Sequence, residues 1–167
     1  MAALAIYLYM QLNCAMSALT PVKSVGCTCL RLRKASRRVS QIYDRALEPY
    51  GLTVTQYGLL GHIAALDGVG IGALAARMVM DPTTLTRNLK PLLEQALIVL
   101  LPDRRDRRAR RLHLTDDGRR TFARAKPAWK RAQLHLEQVL GERDAPALNA
   151  VLDRVLARLE AAPRSEP

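Results

Sequence analysis

Residues 81–115 read DPTTLTRNLKPLLEQALIVLLPDRRDRRARRLHLT, and this stretch decides the fold. Asp81 suits a helix N-cap, where a short acceptor satisfies an otherwise orphan backbone N–H. Pro82 suits the first helical position, where its missing N–H costs little. Apolar residues then recur at Leu85, Leu89, Leu92, Leu93 and Ala96, a spacing that predicts a helix over 82–97. Pro91 should kink that helix or loosen its hydrogen bonding. Residues 98–101 and 111–114 predict two short strands, and the arginine-rich PDRRDRRAR between them predicts a hairpin, or wing.

The flanks extend the pattern. Upstream, Leu32, Ala35, Val39, Ile42, Tyr43, Ala46 and Leu47 form one helical stripe, ended by Pro49 and Gly51. A second helix starts after Thr53, a candidate N-cap, and runs through Leu59, Leu60 and Ile63 towards Asp67-Gly68. ALAARMVM at 73–80 predicts a short third helix. Downstream, Thr115-Asp116-Asp117-Gly118 opens a long helix with apolar positions Phe122, Ala125, Trp129, Ala132, Leu136, Val139 and Leu140. Its steps of four and three approach a heptad, the spacing of helices that pair with helices. A last helix over 146–161 repeats Leu148, Val151, Leu152, Val155, Leu156 and Leu159.

The order is helix, helix, short helix, helix, hairpin, helix, helix. It predicts a mainly α (α+β) chain: a winged helix-turn-helix at 52–117, with helices at 27–50 and 118–161 forming a dimerisation region. Residues 1–26 are expected to be an N-terminal extension, disordered or non-native upstream of Met16, and 162–167 a disordered tail. The apolar run before Gln11 is too short to span a membrane, so no membrane partner is expected.

Charge narrows the partner. Lys and Arg total 26 against 15 Asp and Glu, a formal +11, which points to a polyanion. Aromatic residues make up only 4%, too few for base-stacking platforms on single strands. Cys14, Cys27 and Cys29 fit neither a disulfide framework nor zinc spacing, which places the chain in a reducing cytoplasm without a metal. No nucleophile–base pair or phosphate-cradling glycine loop supports an enzyme or a cofactor.

Residues near the start of the 82–97 helix carry the chemistry of base reading. Hydroxyls of Thr83, Thr84 and Thr86 can bond bases or phosphates, Arg87 suits guanine, Asn88 suits adenine, and Lys90 suits phosphate. The same residues could equally cover a solvated face; the neighbouring hairpin tips the reading towards DNA. In the wing, Arg104, Arg105, Arg107, Arg108 and Arg110 can lie on phosphates or enter a narrow minor groove. Asp106 would cost affinity against a polyanion unless it holds a neighbouring arginine in place.

Thr86-Arg87, Leu92/Leu93-Glu94, Leu97-Ile98, Asp103, Asp106-Arg107-Arg108, Leu112-His113-Leu114-Thr115 and Gly118 together resemble the multiple-antibiotic-resistance regulator (MarR) family, over about residues 25–159. The resemblance implies a helical dimer whose first and last helices interlock, with 82–97 in the major groove and the wing in the minor groove. It also implies an Asp106–Arg108 pair within the wing. Two departures stand out. Ala96 occupies the place of a glycine that usually ends the recognition helix, and Leu100 or Leu101 replaces an arginine of the first wing strand.

Members of this family commonly sense a small molecule, often aromatic or phenolic, between the dimer helices and the DNA-binding lobe. Tyr43, Tyr57, His62 and Trp129 are the candidate lining residues here, with Arg37 or Arg38 for an anionic group. Tyr43 and Trp129 also lie on apolar stripes and suit the core, and His62 suits a satisfied core position. Cys29 is placed similarly to the peroxide-sensing cysteine of the family's organic-hydroperoxide branch, with Arg33 one turn along to favour a thiolate. Against that, a buried, inert thiol is the simpler reading. The expectation is therefore a cytoplasmic, non-enzymatic repressor. It would bind a pseudo-palindromic duplex operator as a homodimer and leave it on a small-molecule or oxidant signal. The alternative is a sequence-independent architectural DNA-binding protein.

Overall fold

The computed structural model describes residues 27–66, 68–103 and 109–162. Six helices and three short strands are formed there, so the expected mainly α architecture with a small sheet is what the chain adopts. The chain divides into two units, residues 1–37 and 38–167, with the boundary inside the first helix. In the first unit, residues 27–37 are all exposed.

Helix α1 spans Thr28–Leu47 and buries Tyr43 and Leu47. A 3-10 turn, Glu48–Tyr50, closes it, and Gly51 follows in the left-handed region at φ +67°. Helix α2 spans Val54–Leu66. Its start is a reciprocal capping box: Thr53 Oγ1 accepts from Gln56 N–H at 3.2 Å, and Gln56 Oε1 accepts from Thr53 N–H at 2.9 Å. Asp44 of α1 adds a third acceptor, for Val54 N–H at 2.7 Å.

A strand absent from the sequence reading comes next. β1, Val69–Gly70, is followed by α3 at Ile71–Arg77. Helix α4, Pro82–Glu94, begins as its sequence requires: Asp81 is extended and its side chain accepts from Thr84 N–H at 2.9 Å. The helix continues through Pro91 but stops at Glu94, short of the expected residue 97. β2 (Ile98–Pro102) and β3 (Arg110–Leu114) pair antiparallel, and β3 is central because β1 takes its other edge, Val69 opposite Leu112. Helix α5 spans Asp116–Leu140 and α6 spans Asp144–Ala161.

Three chain reversals share one geometry. After Glu94, Leu97 N–H reaches the Leu92 carbonyl and Ala96 N–H the Leu93 carbonyl, with Ala96 at φ +52°. After Arg77, Met80 N–H reaches Ala75 and Val79 N–H reaches Ala76, with Val79 at φ +50°. After Tyr50, Leu52 N–H reaches the Leu47 carbonyl and Gly51 N–H the Glu48 carbonyl. These are Schellman closures, in which one left-handed residue lets two orphan carbonyls be satisfied. Only the closure at Gly51 uses glycine.

The core is aliphatic, as 4% aromatic content demands. Leu47, Leu59, Leu60, Ile63, Leu74, Leu85, Leu89, Leu92 and Leu112 are fully buried. Each contributes about 1.5–3 kcal/mol by leaving water, before chain entropy is subtracted. Helix α5 is locked onto this core at its first turn. Thr115 Oγ1 caps Gly118 N–H at 2.9 Å and donates to the Ala96 carbonyl at 2.7 Å. A Cβ at Gly118 would stand 1.9 Å from the Leu97 carbonyl oxygen.

Candidate nucleic-acid interface and ligand cavity

Helix α4 buries Leu85, Leu89 and Leu92, which turns Thr83, Arg87 and Lys90 outward. The cap fixes the helix end that presents them. Hydrogen bonds from the Thr84 side chain, then from backbone N–H groups, hold the Asp81 carboxyl below its ordinary value, so it stays an acceptor. Thr86 and Asn88 are turned back on their own helix. Thr86 Oγ1 donates to the Pro82 carbonyl at 2.7 Å, and Asn88 Nδ2 donates to the Thr84 carbonyl at 2.9 Å. Lys90 lies 3.7 Å from Glu94, both well exposed. The side chains of Thr83 and Arg87 make no hydrogen bond or ion pair among the described residues.

Arg110 is exposed at the start of β3, opposite Pro102. Arg104, Arg105, Asp106, Arg107 and Arg108, including the expected Asp106–Arg108 pair, lie outside the described residues. The hairpin base carries a pair the sequence reading did not single out. Asp103, 9% exposed, accepts from Arg111 Nε, while Arg111 Nη1 donates to the Gly68 carbonyl at 3.2 Å. Asp103 N–H also bonds the Ala109 carbonyl at 3.0 Å.

A half-open cavity of about 400 Å³ lies between α2 and α5, lined by Tyr57, His62, Arg77, Phe122 and Trp129 among others. Three of the residues nominated for an effector, Tyr57, His62 and Trp129, thus share one site. Tyr57 stacks on Trp129 at 5.9 Å between centroids and lies tilted against Phe122 at 4.8 Å. Tyr43 is a core residue behind this wall, 6.2 Å from Trp129. Its hydroxyl donates to Gln133 Oε1, and Gln133 Nε2 donates to Glu137 at 2.7 Å. Burial, with the Glu137 charge second, raises the Tyr43 pKa, so the phenol remains a donor at neutral pH. His62 Nδ1 lies 2.9 Å from the Gly58 carbonyl, which fixes the ring and its Nδ1–H tautomer.

The nominated cations fall elsewhere. Arg38 is exposed on α1, and Arg37 lines a separate shallow depression with Leu32, Arg33 and Ser36. Among the described residues that line the cavity the cation is Arg77, at the end of α3. Nothing local to Arg77 marks it, because only the tertiary fold brings it there. Cys29 is exposed, not the buried small hydrophobe of the simpler reading, and Cys27 precedes α1 instead of sharing it.

A capped helix after a short helix and turn, followed by a hairpin on a three-stranded sheet, defines a winged helix-turn-helix protein. The MarR family profile matches residues 50–109, and the chain belongs to the MarR family. Among solved structures it is similar to the M. tuberculosis transcriptional regulator MosR in complex with DNA. The two are 36% identical with a TM-score of 0.71, over 81% of this chain and 97% of that one. It is also similar to the transcriptional repressor CouR bound to a DNA duplex, at 27% identity and a TM-score of 0.74, over 83% and 98%. The transcriptional activatory protein BadR of Rhodopseudomonas palustris is 28% identical over 95 residues, 55% of this chain and 54% of that protein. The chain therefore spans about half the length of this curated relative. Among the described residues no helix is long and apolar enough to cross a membrane.

Proposed function

We propose that this chain is a cytoplasmic, homodimeric transcriptional repressor that binds a pseudo-palindromic stretch of duplex DNA and leaves it when a small aromatic acid occupies the α2–α5 cavity. The observation that carries the reading is the outward face of α4. Arg87 stands there exposed and unengaged among the described residues, on a helix whose start is fixed by Asp81 and Pro82. Such a helix fits the major groove, with arginine suited to guanine. The DNA complexes of MosR and CouR support the assignment, and the name of CouR supports repression over the activation named for BadR.

The dimer reading rests on α6. Leu148, Val151, Val155 and Leu159 recur on one stripe and are exposed, as are Leu30 and Leu32 of α1. A stripe at helical spacing left in water calls for a partner, and a second copy supplies it. The ligand reading rests on the cavity, whose volume suits a drug-sized molecule. Stacked rings would hold an aromatic body, and Arg77 an anionic group. Helix α2 packs against both α5 and α4. A ligand wedged between α2 and α5 would shift α4, so that the two recognition helices no longer match their half-sites.

Selection of duplexes from a random-sequence pool by the purified protein tests this. The expected product is two half-sites related by two-fold symmetry, about 10–10.5 base pairs centre to centre. A pool that stays random after selection, while still bound, would overturn operator recognition in favour of sequence-independent coating.

A further inference from the structure

Six cations crowd the outward side of α5: Arg119, Arg120, Arg124, Lys126, Lys130 and Arg131, all exposed. No Asp or Glu interrupts the chain between Asp117 and Glu137. At 3.6 residues per turn these six form two rows about 120° apart, Arg120, Arg124 and Arg131 in one and Arg119, Lys126 and Lys130 in the other. The ridge between them carries the small Ala123 and Pro127 and, past the last cation, Leu134, all exposed. The buried face, with Ala125, Ala128 and Ala132, is opposite.

Arg119 and Arg120 are matched by Asp116 and Asp117 one turn earlier. The other four have no ion pair among the described residues. Arg120 and Arg124, and Lys126 and Lys130, are like charges at i,i+4, an arrangement that destabilises a helix left in water. An ordinary solvated face mixes signs; from Arg124 to Arg131 this one does not.

The face belongs to a different helix from the one that holds the first duplex. Tyr57 and Gly61 of α2 meet Phe122 of α5, and α2 also packs against α4. The cations of α5 point away from its buried Ala125, Ala128 and Ala132, as Thr83, Arg87 and Lys90 point away from Leu85, Leu89 and Leu92 of α4.

We infer that this two-row face of α5 binds the phosphate backbone of a second segment of duplex DNA, so that the protein bridges two duplexes. The inference rests on the DNA-binding reading of α4. No aromatic side chain is exposed on the face to stack an unpaired base, and Leu134 is the one large apolar residue exposed along it, too little to seat the helix in a bilayer. A second copy of the chain would have to desolvate four unpaired cations to cover it.

A capture experiment tests it. A short duplex selected by the full-length protein from a random pool is immobilised and saturated with protein, and a labelled duplex of unrelated sequence is then offered. Wild type should retain the second duplex. The variant Arg124→Ala/Lys126→Ala/Lys130→Ala/Arg131→Ala should bind the immobilised duplex within about twofold of wild type, yet lose second-duplex capture about tenfold or more. The slope of log capture against log salt should fall by about 3–4, from roughly 0.9 per phosphate contact. Arg124→Lys/Arg131→Lys should retain capture, since the backbone is read by charge. Capture by the quadruple variant equal to wild type, or none by wild type sitting on the first duplex, overturns the bridge and leaves the α4 reading standing. Preferential retention of anionic lipid vesicles over the second duplex overturns the assignment to DNA. Failure of wild type to hold even the first duplex overturns both.

Discussion

Arg111, on the central strand β3, holds the buried carboxylate of Asp103 across the base of the β2–β3 hairpin. The same guanidinium reaches the Gly68 carbonyl, so hairpin, strand β1 and the end of α2 are tied at one point. A carboxylate at the root of an arginine-rich loop is a liability against DNA unless it positions that loop. Asp103→Ala should therefore cost about 1.5–3 kcal/mol of stability, the range of a charge-assisted hydrogen bond. It should also weaken DNA binding even though it removes a negative charge. Denaturant unfolding and a binding titration check both, and tighter binding would show that the pair does not position the wing.

Gly118 touches the Leu97 carbonyl so closely that a methyl group there meets backbone, which cannot rotate away. Gly118→Ala should cost about 3 kcal/mol or more and separate the start of α5 from the end of α4. Gly72→Ala is the control: a Cβ there meets nothing within 4 Å, and the change should be neutral or stabilising by about 0.5–1 kcal/mol. Equal unfolding midpoints for the two variants would refute this close contact.

Ala96 and Val79 close their helices in the left-handed region, where a side chain costs about 1–2 kcal/mol. Ala96→Gly and Val79→Gly should each raise stability by about 0.5–1 kcal/mol after the extra entropy of glycine in the unfolded chain is counted. Val79 is 71% exposed, so little burial is lost with its side chain. Lower unfolding midpoints would mean that the flanking turns relax when the side chain is removed.

Those two turns also explain what the sequence did not disclose. Periodicity located every helix among the described residues, and Thr53 and Asp81 announced their caps because short acceptors carry a local signal. The end of α4 gave no such signal, since Ala96 takes a glycine's role without being one, and the helix was expected to run three residues too far. Two residues, Val69 and Gly70, are too few to show alternation, so β1 was invisible. Aromatic residues of the cavity were legible as a set, but Arg77 joins them only through packing. Arg37 and Arg38 are not among the described residues that line the cavity.

Val155 and Leu159 lie on the exposed stripe of α6, at 37% and 69% exposure, whereas Leu136 on the neighbouring helix packs partly on the subunit's own core. Val155→Asp and Leu159→Asp should therefore break a dimer without unfolding the subunit. Sedimentation at low micromolar concentration should show dimer for wild type and monomer for both variants, with DNA binding lost in parallel. A dimer that survives both substitutions would place the interface elsewhere.

The most direct test of the account is a competition titration of wild type and Arg87→Ala, comparing a duplex selected by the protein with one of unrelated sequence. Arg87 is exposed on α4 and makes no hydrogen bond or ion pair among the described residues, so its removal should leave the fold intact. Binding to the selected duplex should weaken by about 1–3 kcal/mol, with a much smaller loss on the unrelated one, because a base contact is lost. Equal weakening on both duplexes, or no weakening on either, would contradict the claim that α4 reads the sequence of the DNA.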